Sequence, residues 1–227
     1  MLSGRTTLVG LIGNPVEHSL SPAMHNAAFA ARGLDWAYVP LLVEADRVED
    51  AVRGLVALGF VGANVTAPHK AAAAAACETE LDSVNVLVVR ERRVDGLSTD
   101  AAILDGLSAE RPAILGSGGA AAAFRAALPQ ARVFSRRGDW PPDVAGADLV
   151  VNATSERDAV LCDLSEGQTL VDLPYPETAT ADTAREAGAT VVNGLEVLVA
   201  QGVASFELWT GVPAPVEVMR AAVGLRP

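Results

Sequence analysis

Short apolar runs alternate with helix-like runs along most of this chain, and that alternation confines it to an α/β fold. In the first half, strands are expected at Thr7–Ile12, Ala37–Val43, Ala63–Thr66 and Val84–Arg90. One helix is expected to start at Ser21-Pro22, with Ser as cap and Pro at the first helical position, and to stop at Gly33. A second is expected from about Asp46 to Leu58, with Gly59 beyond its end.

A further series begins at Arg111. Its strands are expected at Ala113–Leu115, Arg132–Phe134, Leu149–Asn152, Thr169–Leu173 and Thr190–Val192. Its helices are expected at Ala120–Leu128 and Thr180–Ala187, the latter stopped by Gly188, followed by Leu195–Leu208 and a short one near Val216–Val223. Between Arg136 and Asp148, with Pro141-Pro142 inside, two strands must be joined by a connection near the minimum for a parallel crossover of about a dozen residues.

The net charge of −11 argues against nucleic acid and anionic membranes, which need a basic surface. An anionic small ligand remains admissible, because it needs only a few local donors. The chain has no apolar run of about eighteen residues and no secretory leader pattern, and its two cysteines, Cys77 and Cys162, form neither a disulfide framework nor zinc spacing. A reducing cytoplasmic location is expected. His18, His25 and His69 form no HxxxH pair, so no metal site is expected.

Four constellations can carry chemistry. Gly116-Ser117-Gly118-Gly119-Ala120 follows an apolar strand and opens an alanine-rich helix, where glycines permit a tight turn and close approach of a pyrophosphate. The pattern is GxGGA, not the full GxGxxG, and serves equally as a tight turn in any α/β protein. The next strand ends in Ser135-Arg136-Arg137, where two arginines and no acid favour a 2′-phosphate, hence NADP over NAD. Ser19 and Ser21 lie on the segment between the first strand and helix, where ligands are often held. Asn64, Thr66 and Lys70 lie at and beyond a strand end; Asn85 and Ser98-Thr99-Asp100 lie further on, with Asp100 a possible carboxylate partner for Lys70.

Taken in order, the segments GNPVEHSLSPAMHN, GANVTAPHK, SVN, STD, LGSGGAA, SRR, VVNATS, VDLPYPE and NGLEVLVAQGVASFELWTG resemble shikimate dehydrogenases over nearly the whole chain. The resemblance implies reversible reduction of 3-dehydroshikimate to shikimate with NADP(H), in chorismate and aromatic amino-acid biosynthesis. It implies an N-terminal α/β substrate domain, an inserted Rossmann-like cofactor domain and C-terminal helices that return to the first domain. The expected division is 1–100 with 198–227 for substrate and 101–197 for cofactor.

Carried over by residue, the resemblance makes Ser19 and Ser21 hold the substrate carboxylate. Asn64, Thr66, Asn85 and Gln201 bind its other oxygens, with Tyr175 lining the same cleft. Lys70 and Asp100 form the catalytic pair. Gly116, Ser117, Gly118, Gly119 and Ala120 cradle the pyrophosphate; Ser135, Arg136 and Arg137 face the 2′-phosphate; Leu173 and Gly194 lie near the nicotinamide. The expected assembly is a monomer or homodimer.

The sequence also departs from the family pattern. The Lys70–Asn85 interval is short, the family's GAVNT reads Asp82-Ser-Val-Asn-Val86, its NTD reads Ser98-Thr-Asp100, and Ser135 replaces an Asn. A methionine on the last long helix is Val197, and the segment between Arg137 and Asp148 is trimmed. These departures keep two alternatives open: a relative acting on quinate or an amino-shikimate, and a catalytically weak NADPH-binding homologue.

Overall fold

The computed structural model describes residues 2–225. They form two compact units, one comprising the chain through Thr99 together with Gln201 onward, the other spanning Asp100–Ala200. Each unit holds its own five-stranded sheet.

The first unit contains strands β1 (Thr7–Gly13), β2 (Trp36–Leu42), β3 (Phe60–Val65), β4 (Val86–Arg90) and β5 (Arg93–Leu97). Their order is β2-β1-β3-β4-β5. β2, β1 and β3 run parallel, while β4 and β5 are antiparallel to their neighbours. Helix α1 (Ser21–Ala31) follows β1, α2 (Val48–Ala57) follows β2, and α3 (Lys70–Ala75) follows β3. The apolar residues of α2, Val48, Val52 and Leu55, recur at helical spacing and pack with Ile12, Val65 and Leu87 of the sheet.

Three details differ from the expectations. Ser21 is the first helical residue and caps nothing with its side chain; Leu20 occupies the cap position, and the backbone N–H of Ser21 donates instead to Ser19 Oγ at 3.3 Å. The region expected to begin at Asp46 splits into a 3-10 turn at Ala45–Arg47 and the helix proper. β5 was not expected: it closes a hairpin through Glu91 and Arg92, both at positive φ, without the Gly or Asn that announces such a turn.

The second unit contains β6 (Pro112–Leu115), β7 (Arg132–Phe134), β8 (Leu149–Asn152), β9 (Thr169–Asp172) and β10 (Thr190–Val192), all parallel, in the order β10-β9-β8-β6-β7. Both faces are apolar, as a parallel sheet between helices requires. Ala113, Leu115, Val150 and Leu170 pack on one face with Ala181 and Ala184 of α5 (Ala179–Glu186). Their strand neighbours Ile114, Leu149, Val151 and Val171 pack on the other with Ala121 and Phe124 of α4 (Gly119–Ala127). Thr178 caps α5, its hydroxyl accepting from the Ala181 N–H.

Helix α6 (Gly194–Thr210) starts in the second unit and ends in the first, and α7 (Val216–Ala222) follows it. In the first unit, Phe206 of α6 stacks on Phe29 of α1 with ring centroids 5.4 Å apart, and Trp209 donates to Leu87 O at 3.0 Å.

Candidate active site

In the first unit, register gathers the predicted substrate residues at one sheet edge. Ile12 is level with Val65, Asn64 with Val86, and Val86 with Leu97. The chain therefore leaves or enters the sheet at Gly13, Thr66, Asn85 and Ser98 along the same rim. Ser19 and Ser21 lie on the segment leaving β1, and Lys70 opens α3 beyond Thr66. Gln201 lies on the part of α6 that belongs to this unit.

A hydrogen-bond network fixes this rim. Buried Asn85 donates to Gln201 Oε1 at 3.0 Å and to Thr99 Oγ1 at 3.1 Å, and its Oδ1 accepts from the Thr99 N–H at 2.7 Å. Asn64 donates to Asn85 O at 3.0 Å and to Ser205 Oγ at 3.1 Å, while the Tyr38 hydroxyl donates to Asn64 Oδ1 at 2.8 Å. Ser205 donates to Gln201 O at 2.8 Å and lies 3.2 Å from Thr99 Oγ1. Asn64, Asn85 and Gln201 are thus brought together from β3, the turn before β4, and α6. Thr99, from the Ser98-Thr99-Asp100 run, joins the network, and Ser205 and Tyr38, which sequence did not single out, complete it; their importance depends on partners up to 141 residues away.

Lys70 belongs to the first unit, while buried Asp100 opens the second, next in the chain to the anchored Thr99. Tyr175, half-buried, follows β9 in the second unit.

The second unit presents its own rim at the carboxyl ends of the parallel strands. Leu115 is level with both Phe134 and Asn152, Asn152 with Asp172, and Val171 with Val192. Gly116, Ser135, Ala153 and Leu173 are therefore the first residues beyond four aligned strands. β7 and β8 lie on opposite sides of β6, so the strand order switches between β6 and β8, the place where such sheets bind ligands.

Gly116 sits at that switch with φ +120, and a Cβ there would stand 2.9 Å from Ala153 O. Gly118 occupies the cap position of α4, offers no side chain to the first helical N–H groups, and has open space where a Cβ would be. These features fit a pyrophosphate approaching the helix N-terminus. Gly194 presses against the Leu173–Pro174 backbone, where a Cβ would lie 2.2 Å from Pro174 O, so the two residues predicted near the nicotinamide are neighbours.

Behind this rim lies a second network that sequence did not single out. Asn152 donates to Asp172 Oδ1 at 2.7 Å, and its own Oδ1 accepts from the Thr154 N–H and hydroxyl at 3.1 and 2.7 Å. Asp172 is wholly buried; desolvation pushes its carboxyl above the usual range, opposed by the Asn152 amide and by Thr178. Ser135, Arg136 and Arg137 follow edge strand β7, both arginines exposed. Arg136 donates to Glu156 Oε2 at 2.8 Å and lies over the Trp140 ring at 5.9 Å from its centroid. Among the described residues, no group of three or more His, Cys, Asp or Glu converges to hold a metal, and no helix is long and apolar enough to cross a membrane.

A parallel sheet with a glycine turn at its switch point, in a chain whose other unit carries a hydrogen-bonded polar rim, defines a dinucleotide-dependent α/β protein. A model of the shikimate dehydrogenase substrate binding domain matches residues 11–87, and one of the shikimate 5′-dehydrogenase C-terminal domain matches 194–223. The chain is 42% identical to a shikimate dehydrogenase (NADP(+)) of an Anaeromyxobacter species, across 98% of each chain. That alignment runs over 272 positions for a chain of 227 residues, so the relative carries segments that this chain lacks. Among solved structures, a shikimate dehydrogenase in complex with NADP+ superimposes with a TM-score of 0.89 at 29% identity, over 98% of this chain and 96% of that one. Shikimate 5-dehydrogenase of Thermus thermophilus, in complex with NADP(H) and shikimate, gives 0.85 at 29%, over 96% and 98%. The chain belongs to the shikimate dehydrogenase family.

Proposed function

We propose that this chain catalyses the reversible NADP-dependent reduction of 3-dehydroshikimate to shikimate. The observation that carries this reading is the full-length relationship to shikimate dehydrogenase (NADP(+)) at 42% identity. The rim of the first unit supplies hydroxyls, amides and one lysine, suited to a small polyhydroxylated acid. The first unit is accordingly the substrate domain and the second the cofactor domain. The two free cysteines accord with a reducing cytoplasmic setting.

In this reading Ser19 and Ser21 donate their hydroxyls to the substrate carboxylate, close to the N-terminus of α1, where the helix dipole favours an anion. Asn64, Thr66, Asn85 and Gln201 hold the ring oxygens, and Tyr175 is assigned to the substrate as well. The network through Thr99 and Ser205 holds these amides before substrate arrives, so little ordering is needed on binding. NADPH, when bound, supplies the hydride. Gly116, Ser117, Gly118, Gly119 and Ala120 hold its pyrophosphate; Ser135, Arg136 and Arg137 meet the 2′-phosphate; Leu173 and Gly194 bound the nicotinamide end.

Negative charge develops on the carbonyl oxygen during reduction. Lys70 holds a proton at that oxygen, and Asp100 is the carboxylate assigned with it to the catalytic pair. Acid–base help of this kind contributes about 10²–10⁴-fold in rate. Purified protein is expected to reduce NADP when given shikimate, and absence of turnover with NADP and with NAD would refute the assignment. Lys70→Ala is expected to lower kcat by about 10²–10⁴-fold while KM for shikimate changes far less, because the lysine's bond strengthens in the transition state.

A further inference from the structure

Arg136, one of the two arginines assigned to the 2′-phosphate, is already engaged by a carboxylate. Its Nη2 lies 2.8 Å from Glu156 Oε2. The two partners are held very differently. The Arg136 side chain is 67% exposed, but that of Glu156 only 28%. Glu156 also stands at the end of a chain of bonds that starts in the core. Buried Asp172 accepts from Asn152, Asn152 fixes Thr154, and Thr154 Oγ1 accepts from the Glu156 N–H at 3.2 Å. Glu156 Oε1 accepts in addition from the Asp158 N–H at 3.3 Å. The Glu156 carboxylate thus has a second bond besides the ion pair, on a backbone held by Thr154, whereas Arg136, lying over the Trp140 ring, is the more exposed partner. Arg136 also holds the Glu156 carboxyl below its usual range.

A phosphate arriving at Arg136 must therefore take the guanidinium from that carboxylate, and it then sits beside its negative charge. NAD has only a ribose hydroxyl there and meets neither obstacle. A carboxylate in this neighbourhood can accept from that hydroxyl, the task of the acidic residue in NAD-selective folds. In those folds the acid ends the second strand; here it arrives on the segment after β8, which is why the end of β7 read as purely basic.

Resting on the assignment of Arg136 to the 2′-phosphate, we propose that Glu156 is a specificity-determining residue that weakens the preference for NADP over NAD by competing for Arg136. An exposed pair of this kind supports a change of about two- to five-fold. Kd and kcat/KM for NADP and NAD would be measured with shikimate, at fixed low salt, for the parent, Glu156→Gln, Arg136→Gln and the double variant. Gln keeps the size of the side chain and its acceptor for the Asp158 N–H. Glu156→Gln is expected to tighten NADP by about two- to five-fold and leave NAD unchanged or slightly weaker. The gain is expected to shrink in the Arg136→Gln background and to fade as salt is raised. Arg136→Gln with unchanged NADP affinity would remove the premise and refute the assignment of Arg136. Weakened NADP in Arg136→Gln, but an unaltered NADP/NAD ratio in Glu156→Gln, would overturn the competition alone. An equal gain in both backgrounds would also overturn it, because Glu156 would then act without Arg136.

Discussion

Replacing His25 by leucine or phenylalanine is expected to remove much of the acid sensitivity of the first unit. The imidazole is 1% exposed and stacks on Tyr38 with ring centroids 4.6 Å apart, with Trp209 at 5.4 Å and Phe29 at 6.2 Å. Neither ring nitrogen has a hydrogen-bond partner. A proton placed there would be stripped of water with nothing to accept from it, and burial pushes the group from 6.5 down to about 3. In the unfolded chain the same group titrates near its ordinary value. Between these limits the unfolded chain binds more protons, so stability is present in full above pH of about 6.5 and is lost as pH falls towards 3. The slope approaches about 1.4 kcal/mol per pH unit, which amounts to about 2 kcal/mol between pH 7 and pH 5. Urea unfolding of the parent and both variants at these pH values measures it. Fluorescence in a Trp140→Phe background reports only Trp36 and Trp209, both in the first unit. Other titrating groups are common to all the proteins and cancel in the comparison. The variants are expected to lose about 2 kcal/mol less than the parent on acidification; equal losses would refute the burial argument.

Three further outcomes follow from the two rims. Gly116→Ala is expected to cost about 1–3 kcal/mol of stability and to weaken NADP binding, since its φ of +120 and the 2.9 Å approach to Ala153 O both resist a side chain; thermal melts and cofactor titration check both. Ser205→Ala removes a donor to Gln201 O and an acceptor from Asn64, with an expected cost of about 1–3 kcal/mol in denaturant and a raised KM for shikimate. Asp172→Asn keeps an acceptor for Asn152 and removes a buried charge whose pKa is raised, so the variant is expected to be more stable than the parent at neutral pH. That advantage should shrink as pH falls through the carboxyl's range, because the parent then becomes neutral as well; a constant advantage across that range would refute the reasoning.

The parallel strands were legible because apolar runs such as Pro112–Leu115 and Leu149–Asn152 are bounded by turn residues and buried on both faces. β5 was not, since Arg93–Leu97 is an edge strand reading Arg-Val-Asp-Gly-Leu after a turn lacking Gly or Asn. The rim residues named from motifs lie where chain segments leave aligned strands, which is a property of local order. The residues that hold them in place were invisible for the opposite reason. Asn152 is a single polar residue ending an apolar run, Ser205 a small hydroxyl within a mostly apolar helix, and Glu156 one acid among several. Each acquires its meaning from a partner in another element: Asp172, Asn64 and Arg136.

The compactness of the second unit follows the same logic. Its crossover from Phe134 to Leu149 contains no helix, yet it is pinned. Val144 packs in the core, Gln168 donates to Val144 O and Ala147 O at 2.9 and 2.7 Å, and the Asp148 carboxylate accepts from the N–H groups of Glu110 and Arg111. Brevity at this edge leaves the β6–β8 switch point untouched, because the ligand position depends on the strands either side of the reversal and not on what lies outside β7. Arg136 and Arg137 stand exposed beyond β7. A 2′-phosphate bound there interacts across water-accessible surface, so screening limits the strength of each charge. Under those conditions the proposed competition from Glu156 is expected to moderate the preference for NADP and not to set it.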